Sequence, residues 1–493
     1  MTTTAPATDE AAQAAHDRRW LVLGVVAVAQ LMVVLDATIV NIALPSAQRD
    51  LGFADTDRQW IVTSYALAFG SLLLLGGKLG DLFGRKKAFI TGLVGFALAS
   101  ALGGAATSFG VLVGARALQG VFGALLAPAA LSTLATTFTT PRERSKAFGI
   151  FGAVAGGGSA VGLVLGGLLT ETLSWRWCLY VNLVFAAVAV VGAVSLLHDA
   201  KQEQHPKLDV PGTLLASAGL FSLVFGFSRA ATSGWGDGVT LAVLAAGAVL
   251  LVAFVLLQQR VAAPLLPLRV VLDRVRGTCY LAVGMSAVAI FGVFLFLAFY
   301  LQEVKGFSPI VNGLAFLPLT ACIVTASTSS NIVLLPRTGP RPLVTTGMVL
   351  GAVGMGLLSR LTPTSGYAAH VLPALMLLGL GFGLIFAPAI SSATLGVDRR
   401  DAGVASAMVN TMQQVGGSIG TALLSTLAAS STASYARTHE GANVMVRSAV
   451  HGYTTAFTVS SLIFVAGAIV TVSLLPSGVL ADPNAAAAPS GAH

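Results

Sequence analysis

W-L-V-L-G-V-V-A-V-A-Q-L-M-V-V-L-D-A-T-I-V-N-I-A-L, residues 20–44, decides the fold class. The run contains one ionisable side chain, Asp36. A helix rises about 1.5 Å per residue, so roughly 20 apolar residues cross the hydrocarbon core of a bilayer. The run is long enough to span, and too long for the apolar region of a signal peptide, so it reads as an uncleaved first span. A carboxylate inside such a span is costly and marks a functional residue by default.

Comparable runs recur along the chain. Its 493 residues are 55% hydrophobic and 10% charged, against roughly 25% charged in soluble domains. The runs are continuous and lack the ten-residue alternation of a membrane barrel, which leaves α-helices. Fourteen spans are expected, near 20–44, 60–77, 88–107, 110–135, 147–170, 177–197, 210–229, 239–258, 278–302, 309–335, 342–361, 369–394, 403–428 and 453–476. With the N-terminus inside, 19 of the 28 Lys and Arg residues fall on the cytoplasmic side, 8 on the outer side and one, Arg116, within the membrane. That asymmetry places both termini in the cytoplasm. The net charge of +8 therefore reflects topology, and no nucleic-acid partner is expected.

Polar stretches divide the chain. Residues 1–19 read as a disordered cytoplasmic N-terminus, 20–198 as a six-helix bundle, 199–276 as a linker holding two extra spans, 277–477 as a second six-helix bundle, and 478–493 as a disordered tail. The outer segment 430–451 reads as a polar loop. A faint repeat links the halves. G-K-L-G-D-L-F-G-R-K-K (77–87) and N-I-V-L-L-P-R-T-G-P-R (331–341) have Gly84 and Gly339 in the same place, with basic residues around them. Two similar six-helix halves are the plan of many secondary transporters.

Enzyme chemistry finds little support. G-G-S-I-G at 416–420 matches a nucleophile elbow only formally, because it lies inside a membrane helix. G-L-G-F-G at 379–383 follows no strand, and neither a phosphate-binding loop nor a zinc-protease motif is present. Cys178, Cys279 and Cys322 show no metal or disulfide spacing. No metal or cofactor is expected, and energy must come from an ion gradient or the solute's own gradient.

Four further stretches stand beside L-D-A-T-I-V-N-I-A-L-P (35–45). Arg116 lies at a depth similar to that of Asp36, with Gln119, Gly120 and Gly123 on its helix face. A guanidinium and an apolar surrounding act on a carboxylate in opposite senses, so the pair can tune when Asp36 takes a proton. A static ion pair between spans one and four would use the same residues. Gly158, Gly162 and Gly166 recur every four residues, with Gly149 and Gly167 flanking them, and allow another helix to approach closely. Gly403, Ser406, Asn410, Gln413, Gly417 and Gly420 form a polar, small-residue stripe expected to face the protein interior. Gly77, Asp81, Gly84, Arg85 and Lys86 lie in the loop between spans two and three.

Together these stretches resemble the major facilitator superfamily, and within it the fourteen-span drug:proton antiporter branch. The resemblance runs from about Trp20 to the end of the last span. It implies proton coupling at Asp36 with Arg116, and a gating network at Gly77, Asp81, Gly84, Arg85 and Lys86. It also implies an exporter-type glycine motif at Gly149, Gly158, Gly162, Gly166 and Gly167, and cavity-lining polar groups at Gln119, Asn410 and Gln413. Leu163 stands where the family motif has proline, and Leu82 where it has a basic residue. Thr38 and Asn41 are expected in packing or helix-end hydrogen bonds. The implied protein is a proton-coupled exporter of small amphipathic compounds, working as a monomer in the cytoplasmic membrane with protons as coupling ion. A dedicated exporter of one metabolite or lipid, an uptake symporter and a transporter-like sensor are the alternatives.

Overall fold

A computed structural model describes residues 7–53, 58–197, 209–261, 264–398, 401–441 and 443–480. The polar linker at 198–208, the tail from 481 and the side chains of Asn41 and Leu163 lie outside the described residues. The described residues are helical, with no strand. The first half comprises α1 Ala7–Leu51, α2 Arg58–Phe83, α3 Arg85–Gly104, α4 Phe109–Thr137, α5 Pro141–Thr172 and α6 Trp177–Leu196. Then come α7 Val210–Ser233 and α8 Gly238–Gln258. The second half comprises α9 Arg274–Val304, α10 Ile310–Thr338, α11 Pro340–Leu358, α12 Tyr367–Ala393, α13 Ala402–Thr438 and α14 Val444–Leu474.

Twelve described helices are long and apolar enough to cross a membrane. α5 and α13 are not among them; both are rich in glycine, serine or threonine. Both pack inside the assembly, α5 against α1, α10 and α12, and α13 against α2, α4, α7, α9 and α14. Membrane helices that face other helices carry such small and polar residues, so fourteen spans remain consistent with the fold.

Local chemistry sets the helix ends. Ser108, Asp209, Asp237, Asp273 and Ser308 accept backbone N–H groups in the first turns of α4, α7, α8, α9 and α10, which satisfies donors a helix start leaves open. Gly84 and Gly339 take φ of 97° and 77°, a region that favours glycine, and turn the chain sharply between α2 and α3 and between α10 and α11. The two repeats, however, are one residue out of step when counted from their first residues. α10 passes through a π-helical turn at Ser330–Leu334, and such a turn accommodates one inserted residue.

Other expectations change at the ends. α1 starts at Ala7, well before Trp20, because Ala11, Ala12, Ala14 and Ala15 favour helix. The polar loop expected at 430–451 is mostly helix: α13 runs to Thr438 and α14 begins at Val444. Hydroxyls there bond back into their own turns, as Thr438 does to Ser434 and Ser448 to Val444. The Tyr435 ring stacks on His439, 3.9 Å between centroids.

The halves meet along two seams. α5 packs on α10 and α12, while α2 and α4 pack on α13. α7 lies along the second seam and touches both α2 and α13, and α8 packs on α7.

Candidate functional site

Asp36 is fully buried in the first half, at 0% exposure. α4 brings Arg116 to it. Nη1 of Arg116 donates to Asp36 Oδ2 at 2.6 Å and to Gln119 Oε1 at 2.8 Å. Gln119 Nε2 donates in turn to Asp36 Oδ1 at 2.9 Å. The spacing of three residues puts both side chains on one face of α4, so a single helix supplies two donors. Arg116 Nε reaches the Ile61 carbonyl at 3.4 Å, and its guanidinium lies 4.5 Å from the centre of the Tyr65 ring. Both partners are on α2, and the ring face adds a cation–π contact.

Two residues complete the cluster that the sequence did not assign to it. Asn182 Nδ2, from α6, donates to Asp36 Oδ1 at 2.7 Å and contacts Ser100 Oγ at 2.9 Å. Ser100, from α3, donates to the Leu179 carbonyl at 2.8 Å. Asn182 and Ser100 are both fully buried. A neutral amide deep in the apolar run of span six is the signal that could have found Asn182. Three side-chain donors therefore meet the buried Asp36 carboxyl, the kind of pairing that offsets the cost of burying a charge. The cluster is drawn from α1, α2, α3, α4 and α6. A void of about 10 Å³ lined by Val40, Leu44, Ile61, Leu112, Arg116 and Trp175 adjoins it, close to the space of one water.

A second cluster lies where α2 meets α13. Asp81 Oδ1 accepts the Gly403 N–H at 3.2 Å and lies 3.6 Å from Arg85 Nη2. Gly403 is in the first turn of α13, where amides are unpaired and the helix dipole favours a negative charge. Gly77 and Gly403 pack backbone to backbone, since a Cβ on Gly77 would sit 2.6 Å from the Gly403 carbonyl oxygen. Asp401 beside them accepts Arg269 at 2.6 Å. Lys86 does not join this network: its ammonium donates to the Val194 carbonyl near the end of α6 at 2.8 Å. It follows Arg85 directly in the chain and so lies on another face of α3.

The glycines divide between two neighbours. Gly158, Gly162 and Gly166 face Leu31, Val34, Leu35, Thr38 and Ile39 of α1, the helix that carries Asp36. Gly149 and Gly167 face α10, at Asn331 and Ile310. The Thr38 hydroxyl bonds within α1, to the Leu35 carbonyl at 3.0 Å. Asn410 donates to the Ser406 carbonyl of its own helix at 3.1 Å, and both Asn410 and Gln413 are half-buried. The structure thus brings Asp36, Arg116 and Gln119 together, and keeps Asn410 and Gln413 apart from them on α13.

A protein-family model described as Major Facilitator Superfamily matches residues 26–421. The chain is 50% identical over 486 residues to the puromycin resistance protein of Streptomyces alboniger, covering 98% of this chain and 95% of that protein. It is 39% identical to the cephamycin export protein of Amycolatopsis lactamdurans, over 82% of this chain and 84% of that one. It is 38% identical to the tetracenomycin C resistance and export protein of Streptomyces glaucescens, over 84% and 76%. In fold it is similar to the human organic anion transporter MFSD10, with a TM-score of 0.64, 16% identity, and coverage of 92% of this chain and 99% of that one.

Proposed function

The chain belongs to the major facilitator superfamily, and from that premise we propose that it is a drug or antibiotic efflux transporter that exports small amphipathic compounds in exchange for protons. The observation that carries the reading is similarity along nearly the full length to a puromycin resistance protein. The buried Asp36–Arg116 pair supports proton exchange as the energy source. One proton crossing a membrane at about 150 mV yields roughly 3.5 kcal/mol, enough for a gradient of about a few hundredfold.

Transport proceeds by rocking of the halves about the two seams. With Asp36 ionised, Arg116, Gln119 and Asn182 hold α1, α4 and α6 in one arrangement. A proton arriving from outside releases those donors and lets the helices shift. The Asp81–Gly403 contact closes the α2–α13 seam in one state and must part in the other. The setting is the cytoplasmic membrane, with both termini inside, as the distribution of Lys and Arg favours. The protein works as a monomer, with protons as its coupling ion.

The test is transport into inverted membrane vesicles with puromycin and a panel of structurally unrelated antibiotics. Accumulation that collapses when the pH gradient is dissipated is the expected result. Flux that ignores the gradient, or binding without flux, contradicts the reading. Similarity to proteins named for the export of cephamycin and of tetracenomycin C favours one second reading, export of a single product. A panel in which only one chemical class accumulates would select it.

A further inference from the structure

The two seams are built differently. At the α2–α13 seam, Gly77 meets Gly403, and the polar group between them, Asp81, accepts the Gly403 amide. At the α5–α10 seam, α5 contributes glycines and α10 contributes polar side chains. A Cβ on Gly149 would lie 3.3 Å from the Asn331 Cβ, and one on Gly152 would lie 3.6 Å from the Ser327 hydroxyl. Asn331 and Ser327 are each 0% exposed. Neither amide atom of Asn331, nor the Ser327 hydroxyl, has a hydrogen-bond partner among the described residues.

Packing against glycine needs no amide. The matching stretch of the first half packs its seam with Gly77. Buried polar side-chain atoms in folded proteins are nearly always paired, and an exception needs a reason. Asn331 also sits within the π-helical turn Ser330–Leu334, a local geometry that concentrates at functional sites. These observations are independent: one concerns unpaired atoms, the other the path of the backbone.

We infer that Asn331 and Ser327 form a subsite for the transported solute, occluded in this conformation and uncovered when α5 and α10 part. The inference rests on the efflux reading above and adds a place and a chemistry to it. A carboxamide offers two N–H donors and a carbonyl acceptor, and a hydroxyl offers one of each. The matching solute group is uncharged and both donates and accepts, such as a carboxamide or a hydroxyl beside a carbonyl. Once α5 and α10 part, the facing glycines of α5 present no side chain that competes with the apolar body of the same molecule.

Two measurements test it. In a full-length chain with Cys178, Cys279 and Cys322 replaced by alanine, Asn331→Cys is reacted with N-ethylmaleimide in membrane vesicles. The labelling rate should change at least about fivefold when the imposed pH gradient is reversed, an occluded-to-open difference expected of a two-state seam. A rate that does not respond to the gradient overturns the subsite. Second, with puromycin as probe, Asn331→Ala should raise KM about tenfold with kcat and the pH profile close to wild type, as loss of a hydrogen-bonding group in binding predicts. Asn331→Gln should recover part of that loss. An unchanged KM, or a fall in kcat alone, contradicts the inference. Ser327→Ala, with an expected KM rise of about threefold, covers the case in which Asn331→Ala does not fold. If the wild-type chain moves no puromycin, the efflux reading fails for that compound, and the labelling result still decides whether the seam opens at Asn331.

Discussion

Asp36 is held by three side chains, and each can be removed singly. Asn182→Ala deletes one hydrogen bond to a buried charge, a loss of about 1.5–3 kcal/mol. Proton-driven uptake into inverted vesicles should fall about tenfold or more, while uptake equal to wild type would leave Asn182 with packing alone. Asp36 and Arg116 were legible in the sequence because a charge in an apolar run is rare and costly. Asn182 was not, because its amide marks a polar position in span six without naming a partner, and that partner lies 146 residues away in the chain. Asp237, outside the membrane spans, is unsuited to carry the proton. Arg229 donates to Asp237 at 2.7 Å, and that bond with the α8 cap holds the Asp237 carboxyl down to about 2. Its pKa is depressed on folding, so its stabilising contribution is present above the ordinary carboxylate range and is lost only as pH falls through about 2. Asp237→Asn should therefore leave the pH profile of transport unchanged, and a shifted profile would show that it titrates during turnover.

At the scale of elements, α5 is the joint between the halves. Its glycines at 158, 162 and 166 let α1 approach closely, so a shift of α1 in the proposed proton cycle would be passed directly to α5. Gly162→Leu would drive a side chain into the Thr38 hydroxyl, the nearest group, and the Leu35 carbonyl, 3.1 Å from a Cβ at that site. It should lower stability by about 1–3 kcal/mol, read as a lower thermal midpoint in detergent. Gly157→Ala is the control, since its Cβ would meet only methyl groups of Thr320 and Val324 at 3.5 Å; a loss of equal size there would contradict the account. The glycine periodicity was legible, but which helix it faces was not, because spacing fixes a face and says nothing of the neighbour. The π turn of α10 was invisible for a related reason. An inserted residue leaves apolar composition unchanged and shows only as a one-residue slip between two weak repeats. Helix ends beyond the hydrocarbon were misjudged because hydropathy stops where the lipid does, while Ala-, Ser- and Thr-rich turns such as those up to Thr438 continue as helix.

For the whole molecule, the two seams are where the halves meet, and α7 lies along one of them. Thr63 of α2 and Ser228 of α7 lie within hydrogen-bond distance at 3.2 Å, while Trp235 just beyond α7 donates to Thr426 of α13 at 3.0 Å. The inserted pair thus braces both halves, a role that composition alone did not suggest. Gly77→Val should wedge the α2–α13 seam, because its Cβ would collide with the Gly403 backbone. The protein should then fold and insert normally yet transport at a small fraction of the wild-type rate. Wild-type transport by that variant would mean that the seam does not close in the cycle. The central claim, that protonation of Asp36 couples the gradient to export, is tested most directly in inverted vesicles with a fixed pH gradient. Asp36→Asn is compared there with wild type, and Asp36→Asn/Arg116→Gln is included because an unpaired buried guanidinium costs about 3–5 kcal/mol. The account predicts folded protein and no gradient-driven accumulation in either variant. Accumulation at the wild-type level by either variant would contradict it.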